Sequence, residues 1–272
     1  MRDGSPRLWP YSPANSPIAL PDRPLLCSTQ EVITLLRKTN SPSPSVTLSD
    51  KDLAAWLAEF GTETESIDAL LGAQNVPPIA QRRPILLLGE LANPYRLQDI
   101  NIGPLPIFPV RLEGVCKTWA DGLDTREAYP GVHHVTLART PGWWEHSHLG
   151  MATVEQMKAM MAWLENGVRG SWRPVKLGEG CVRLDDQPEL PPPSKADISW
   201  DGTVERVDLP MPEPTGPMLD LSTLMVPVHT RQGCYNHRGR LARCAHMNQR
   251  EFHDNLFRKG SSHRWNEILT VQ

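Results

Sequence analysis

Apolar residues recur at helical spacing in several stretches of this chain, and one stretch is clearer than the rest. It begins at Thr153, where Thr153 and Gln156 match a capping box that closes the first turn of a helix. Three methionines, at positions 157, 160 and 161, join Leu164 on one face, and Asn166-Gly167 ends the pattern. The chain is therefore predicted to contain one long helix that starts at Thr153.

Shorter helical patterns flank this helix. Three are predicted between residues 28 and 78, capped by Ser28 or Thr29, by Ser49 and by Thr64, and they would form a small helical module. The third carries carboxylates and no basic residue, so it is not expected to read DNA as part of a helix-turn-helix. A further helix is predicted over residues 248–259.

Extended patterns occupy the middle of the chain. Residues 84–89 are a continuous apolar run, as expected for a buried strand, and residues 132–138 alternate like a strand with one dry face. Residues 105–112 are also extended, but prolines at 104, 106 and 109 predict a sheet edge or a bulge. Residues 171–177 and 181–186 read as further strands. Residues 198–207 predict a hairpin, because Asp201-Gly202 supplies the positive φ of a type I′ turn.

These elements together predict an α+β protein with a mixed or antiparallel sheet. Four regions are expected: a proline-rich arm (1–27), the helical module (28–78), an α+β body with proline-rich linkers (79–226) and a basic C-terminal segment (227–272). A protein of this length can hold one large domain or two small ones.

Charge is distributed unevenly along the chain. The formal net charge is −3, but residues 227–272 hold eight basic residues against three acidic ones, a net +5, which leaves −8 on residues 1–226. No apolar run approaches the roughly 18 residues that cross a bilayer, the N-terminus has no hydrophobic signal region, and the five cysteines are scattered. We expect a cytoplasmic protein with reduced thiols and no membrane association.

The C-terminal segment contains a candidate metal site. Cys234, His237, Cys244 and His246 are the side-chain types that bind zinc tetrahedrally, although the single residue between Cys244 and His246 is unusually tight. Zinc would staple a short, strongly basic loop that has no core of its own. The alternative is two reduced cysteines and two ordinary surface histidines.

The same segment is a candidate nucleic-acid surface, because arginine matches phosphate bidentately and stacks on bases. Tyr235 and Trp265 lie among the cations as stacking platforms. The alternatives are that the arginines form a solvated face or that they pair with the acidic body of the protein itself. The predicted phosphate contacts are Arg231, Arg238, Arg240, Arg243, Arg250, Arg258, Lys259 and Arg264.

Histidines form a third candidate site. His146 and His148, joined by His133 or His134, would gather three imidazoles around a catalytic metal. That arrangement predicts a metal-dependent hydrolase or nuclease, although no HExxH, Walker A, GxSxG or GxGxxG motif is present. The alternative is four ordinary histidines at a strand end and in a loop.

The sequence favours non-catalytic binding of nucleic acid over the metal-dependent enzyme. RNA or single-stranded DNA is preferred to duplex DNA, because no groove-reading helix is evident and aromatic residues accompany the arginines. Such a protein would work with other protein subunits in a larger nucleoprotein assembly. A protein-only scaffold or adaptor is the third hypothesis.

Overall fold

The computed structural model describes residues 20–38, 46–124, 126, 132–184, 190–229, 234–237, 240–257, 261–263 and 265–272. Among these, the side chains of residues 50, 121, 234–237, 261–263, 265 and 266 are not described. Most of the predicted proline-rich arm, residues 1–19, lies outside the described residues.

The described helices are short, apart from one of 12 residues. They are α1 (Asp50–Leu57), α2 (Ile67–Ala73), α3 (Pro94–Asp99), α4 (Val154–Glu165), α5 (Gln249–Asn255) and α6 (Trp265–Ile268), with 3-10 turns at Ile79–Gln81, Gly89–Ala92 and Lys195–Asp197.

Two of the described strands are much longer than the others. In chain order the strands are β1 (Leu25–Cys27), β2 (Val32–Thr34), β3 (Leu36–Arg37), β4 (Phe60–Gly61), β5 (Arg83–Leu87), β6 (Leu105–Leu123), β7 (His133–Ala152), β8 (Trp172–Val175), β9 (Cys181–Arg183), β10 (Ile198–Trp200), β11 (Glu205–Val207), β12 (Met218–Asp220), β13 (Val226–His229), β14 (Cys234–His237), β15 (Arg240–Leu241) and β16 (Ser261–His263).

The fold is mixed α+β, and its main sheet is organised around the antiparallel pair of β6 and β7. The path β12–β9–β6–β1–β2 runs through β6, while β5 pairs with the other side of β7 and β14 joins near the end of β6. Three small sheets, β10–β11, β13–β8 and β3–β4, pack around this centre. The predicted α+β class is confirmed.

The prolines of β6 do not place it at an edge, so that prediction is wrong. One side of β6 pairs with β7, and the other pairs with β1 at residues 105–107 and with β9 at residues 111–113. Pro109 lies between these two segments, where that side of β6 has no partner among the described pairings. A central strand tolerates a proline at such a point, because no ladder hydrogen bond is required there.

The predicted N-terminal helical module is only partly helical. Where a first helix was predicted, β2 pairs with β1 and β3 pairs with β4. Val32, Ile33 and Thr34 are β-branched in succession, which favours a strand. Ser28 does cap, but it caps a turn: its Oγ accepts from the backbone N–H of Glu31 at 3.0 Å, between β1 and β2.

Several local predictions are confirmed. Ser49 caps α1, and Thr153 with Gln156 forms the capping box of α4, which ends at Asn166 in the left-handed conformation. The cap of α2 is Ser66 rather than Thr64. The predicted C-terminal helix appears as α5, capped by Asn248.

The predicted hairpin of β10 and β11 is present with a longer connection. Trp200 pairs with Glu205, so four residues join the strands instead of the two of a type I′ turn. Asp201 Oδ1 accepts from the backbone N–H groups of Thr203 and Val204, and Gly202 takes a φ of +101°. The aspartate therefore closes the turn with its own side chain.

The main apolar core joins the sheet to α1 and α2. Three neighbouring strands, β5, β7 and β6, contribute the buried side chains of Leu86, Leu149 and Phe108 to it. The buried side chains of α1 and α2 belong to the same apolar cluster. Within the described part of the chain, no helix is long and apolar enough to cross a membrane.

The capping box of α4 provides a stability test. Thr153→Ala removes the side-chain acceptor that holds the backbone N–H of Gln156 at 3.2 Å, and we expect unfolding free energy to fall by about 1 kcal/mol. Thr153→Ser keeps the acceptor and should stay near the parent value in urea denaturation. Equal losses in both variants would contradict the capping role.

Candidate functional site

A bulge in the β6–β7 pair shapes the region that the C-terminal segment contacts. Glu113 pairs with Trp144 and Val115 pairs with Arg139, so Gly114 alone faces residues 140–143. Gly142 has a φ of +77°, and a Cβ there would meet the carbonyl oxygen of Val207 at 2.7 Å. The bulge thus allows the β10–β11 hairpin to pack directly on β7, since only glycine fits this approach.

Arg243 is buried against this bulge. Its side chain is 2% exposed, its Nη1 donates to Glu205 Oε2 at 2.7 Å, and its Nη2 donates to Thr140 Oγ1 at 3.1 Å. Its guanidinium lies over Trp143, 5.1 Å from the ring centroid. Arg243 was predicted as an exposed phosphate contact, and the structure instead makes it an internal ion-pair partner.

Glu205 is the acidic partner of this interaction and is itself 2% exposed. Its Oε2 also accepts from the backbone N–H of Leu241 at 3.0 Å, while its Oε1 lies 3.7 Å from Arg240 Nη1. Burial alone would lower the pKa of Arg243, but Cys116 and Glu205 outweigh it and raise that pKa. Arg243 therefore stays charged, and its contact with Glu205 ties the C-terminal segment to the hairpin.

An open cleft of about 400 Å³ lies beside the ion pair. Its charged lining comprises Lys195, Arg240 and Arg243 against Glu205, and Ile198 and Leu241 contribute an apolar wall. Lys195 is exposed, and the Arg240 side chain is 57% exposed. The cleft thus carries more positive than negative charge and combines it with apolar surface, as binding pockets often do.

His246 lies in the cleft as a neutral side chain. Burial is the main reason that its pKa falls below the usual value, and the charges of Arg243 and Lys195 lower it further. Its Nε2 is 2.8 Å from the carbonyl oxygen of Pro193, and its ring meets Trp143 edge-on. The cationic character of the cleft therefore comes from lysine and arginine.

Trp200 adds an exposed aromatic ring close to the cleft. It is 51% exposed, and it is the cross-strand partner of Glu205. Directly paired residues share a face of the sheet, as do residues two apart, so Trp200 shares its face with Glu205 and Ile198. Both of these residues line the cleft.

The predicted basic residues now divide into three groups. Arg240 and Arg250 are exposed, and Arg243 is buried. Outside the described residues lie Arg231, Arg238, Arg258, Lys259 and Arg264.

The described half of the predicted zinc site is engaged elsewhere. Cys244 is buried in an apolar cluster with Trp119 and Phe252, and burial raises the pKa of its thiol well above the usual value. The side chains of Cys234 and His237 lie outside the described residues, so the zinc site stays a prediction.

The histidines predicted to form a catalytic metal site separate into different clusters. His146 and His148 face each other with ring centroids 4.6 Å apart, and His148 Nε2 lies 2.7 Å from the carbonyl oxygen of Pro21. His133 Nε2 instead lies 3.0 Å from His253 Nδ1, and His134 stacks on His229. In the part of the chain that the structure describes, no group of three or more candidate ligands could hold a metal.

A second polar pocket surrounds Asp124. Arg126 forms ion pairs with Asp124 and Glu90, and His134 Nδ1 lies 3.5 Å from Asp124 Oδ2. Burial would raise the pKa of Asp124, but the bonds and charge of Arg126 outweigh it and lower that pKa. The cavity here is about 40 Å³, which is on the scale of one water molecule. It is too small for an organic substrate. The cleft beside the Arg243–Glu205 pair is the candidate site, because residues of the predicted basic segment line it.

No direct sequence signal marks two of the cleft residues, Lys195 and Glu205, or the neighbouring Trp200. The local signal for Glu205 is weak: it is a carboxylate on the same face of β11 as the apolar Val207. No protein-family model, no curated protein and no solved structure matches this chain. The functional argument therefore rests on the geometry of the cleft.

Arg243 and Arg240 contact the same carboxylate and should differ sharply in their effect on stability. Arg243→Ala leaves Glu205 buried without its main counter-charge, so we expect a loss of roughly 3–5 kcal/mol. Arg240→Ala removes a mostly exposed partner and should cost under about 1 kcal/mol. Urea denaturation of both variants measures the difference. Similar losses would mean that Arg243 is not a buried anchor.

Acidification should begin to destabilise the protein at pH values above those at which carboxylates titrate. Burial lowers the pKa of His133, His134 and His146 to about 4, against an ordinary value of 6.5. Between these values the unfolded chain binds protons that the folded protein does not, so stability rises with pH by up to about 1.4 kcal/mol per unit for each histidine.

Urea midpoints measured from about pH 7 down to about pH 4.5 test this expectation. The midpoint should fall steadily on acidification, and His146→Gln, which removes one titrating group, should reduce the slope. A midpoint that stays constant across this window would show that these histidines titrate normally in the folded protein.

Proposed function

We propose that this protein binds single-stranded nucleic acid, RNA or single-stranded DNA, in the cleft between the C-terminal segment and the β10–β11 hairpin. The observation that carries the proposal is the combination of an open cleft of about 400 Å³, two exposed cations and an exposed tryptophan on the adjoining face. Proteins that bind single strands without a groove-reading helix use this combination of charge and stacking.

The phosphate contacts are assigned to Lys195 and Arg240. Both are exposed and line the cleft, and neither is held by a short ion pair among the described contacts, since the Arg240–Glu205 distance is 3.7 Å. Arg243 has a different role, because its donors are directed to Glu205 and Thr140. It supports the wall of the cleft and does not contact phosphate.

The base contact is assigned to Trp200. Its indole ring is half exposed, so a base that stacks on it would remove apolar ring surface from water. Ile198 and Leu241 extend the apolar surface next to it. A base that is already unpaired can reach this ring, whereas a base inside a duplex has both faces stacked, so single strands are favoured.

A role within a larger nucleoprotein assembly fits the size of this site. One cleft with two phosphate contacts supplies modest affinity, since each contact contributes a limited and salt-dependent share. Further basic residues of the C-terminal segment, among them the exposed Arg250, would extend the path of the strand. Other protein subunits would supply the remaining affinity through multivalent attachment.

Fluorescence anisotropy with a short labelled single-stranded RNA and a DNA of the same length tests the proposal. The double variant Lys195→Ala/Arg240→Ala should weaken binding and flatten the log–log salt dependence by about 1.4 units, at about 0.7 per phosphate contact. Trp200→Ala should cost roughly 1–3 kcal/mol with little change in the salt slope, because stacking is uncharged.

Matched controls come from the same protein. Arg206 lies on the opposite face of the same hairpin, since it pairs with Ser199, and Lys158 is exposed on α4. Arg206→Ala and Lys158→Ala should leave the affinity almost unchanged. If these controls weaken binding as much as the cleft variants, the cleft is not the site. If the parent binds no single strand, the proposed function is wrong.

A further inference from the structure

Among the residues that the structure describes, none donates a hydrogen bond to one of the two carboxylate oxygens of Glu205. Oε2 accepts from Arg243 Nη1 at 2.7 Å and from the backbone N–H of Leu241 at 3.0 Å. Oε1 is buried and accepts no hydrogen bond from the residues that the structure describes. Glu205 is one of the residues that line the cleft, and Oε1 is buried beside it.

An ionised oxygen that is removed from water without a donor is costly, and it is normally satisfied by some partner. Arg240 Nη1, at 3.7 Å, contributes charge but is beyond hydrogen-bonding distance. The two donors on Oε2 hold the carboxylate in a fixed orientation, so Oε1 is prearranged as an acceptor. A ligand with an N–H group could supply the missing donor.

We propose that Glu205 Oε1 accepts a hydrogen bond from the exocyclic amino group of a base stacked in the cleft. This inference rests on the proposed function and specifies which strands the cleft prefers. Adenine, cytosine and guanine carry such an amino group, and a carboxylate is a known type of acceptor for the N4 amino group of cytosine. Uracil and thymine carry none.

Uracil and thymine are disfavoured for a second electrostatic reason. Their remaining ring N–H lies between two carbonyl oxygens, which would bring partial negative charge towards the carboxylate. Glu205 therefore acts as a specificity-determining residue for the base, while Lys195 and Arg240 contact the backbone irrespective of sequence. Phosphate contacts position the strand, and base contacts carry the sequence information.

The test compares labelled single-stranded oligonucleotides of equal length on the full-length parent protein. Oligocytidine is compared with oligouridine, because the two pyrimidines have nearly the same size. A third oligonucleotide contains pyrimidin-2-one, which is cytosine without its amino group. Comparing the affinities of these three oligonucleotides measures the contribution of the amino group without changing the protein.

Oligocytidine should bind roughly tenfold more tightly than oligouridine, as expected for one hydrogen bond to a charged partner. The pyrimidin-2-one oligonucleotide should lose most of this advantage. Trp200→Ala should weaken all three and leave their ratio unchanged, because stacking does not depend on the amino group.

Each outcome distinguishes the two proposals. If none of the three oligonucleotides binds, the proposed function fails. If all three bind with equal affinity, or if pyrimidin-2-one equals cytosine, the nucleic-acid function stands and the base-reading role of Glu205 is overturned. Preferential binding of oligouridine would also overturn it.

A protein variant provides an independent readout. Glu205→Gln keeps the size of the side chain but removes the charge, and it should reduce the ratio of oligocytidine to oligouridine affinity towards one. Because this change also weakens the contact with Arg243, its folding is checked by circular dichroism first. If a folded Glu205→Gln protein keeps the full ratio, Glu205 does not read the base.

Discussion

The antiparallel pairing of β6 with β7 is the constraint on which the rest of the structure depends. Both strands are long, and β1, β5, β9 and β14 all attach to one or the other. Their register breaks where Gly114 faces four residues of β7. A bulge of this kind bends the strand and redirects side chains, and here it places Thr140 and Trp143 around Arg243.

The buried ion pair between Arg243 and Glu205 holds two further elements of the chain against that bulge. It joins the C-terminal segment to the β10–β11 hairpin, which are 38 residues apart in the chain. Such a pair is weak evidence for net stability, because desolvation opposes the attraction, but it specifies one arrangement of the two elements. The arrangement leaves a cleft between them that is lined by both cationic and apolar side chains.

The uneven charge of the chain therefore has two structural roles. Part of the positive C-terminal charge neutralises a carboxylate of the body, as Arg243 does with Glu205. Another part, represented by Arg240 and Arg250, faces solvent. Counting charges along a sequence cannot separate these roles, because the same guanidinium can serve either one and burial decides which.

The sequence by itself determined the elements whose signals are local. The capping box of α4, the alternation in β7 and the Asp201-Gly202 turn depend on residues within a few positions of each other, so α4, parts of β7 and the β10–β11 hairpin could be predicted. The cap at Ser28 was also a real signal, but a hydroxyl that accepts a backbone N–H fits a turn as well as a helix.

Only the tertiary structure decided the position of β6 in the sheet, the burial of Arg243 and the set of residues that line the cleft. The prolines of β6 suggested an edge, yet neighbours distant in sequence pair on both sides of it. Lys195, Glu205 and Arg240 meet through strand register and through packing around Gly142, and no pattern along the chain encodes those distances. Local hydrogen bonding and periodicity can be predicted from a sequence, because they involve neighbouring residues. Which charged side chains are buried and which face solvent depends on pairing between residues that are distant in the chain.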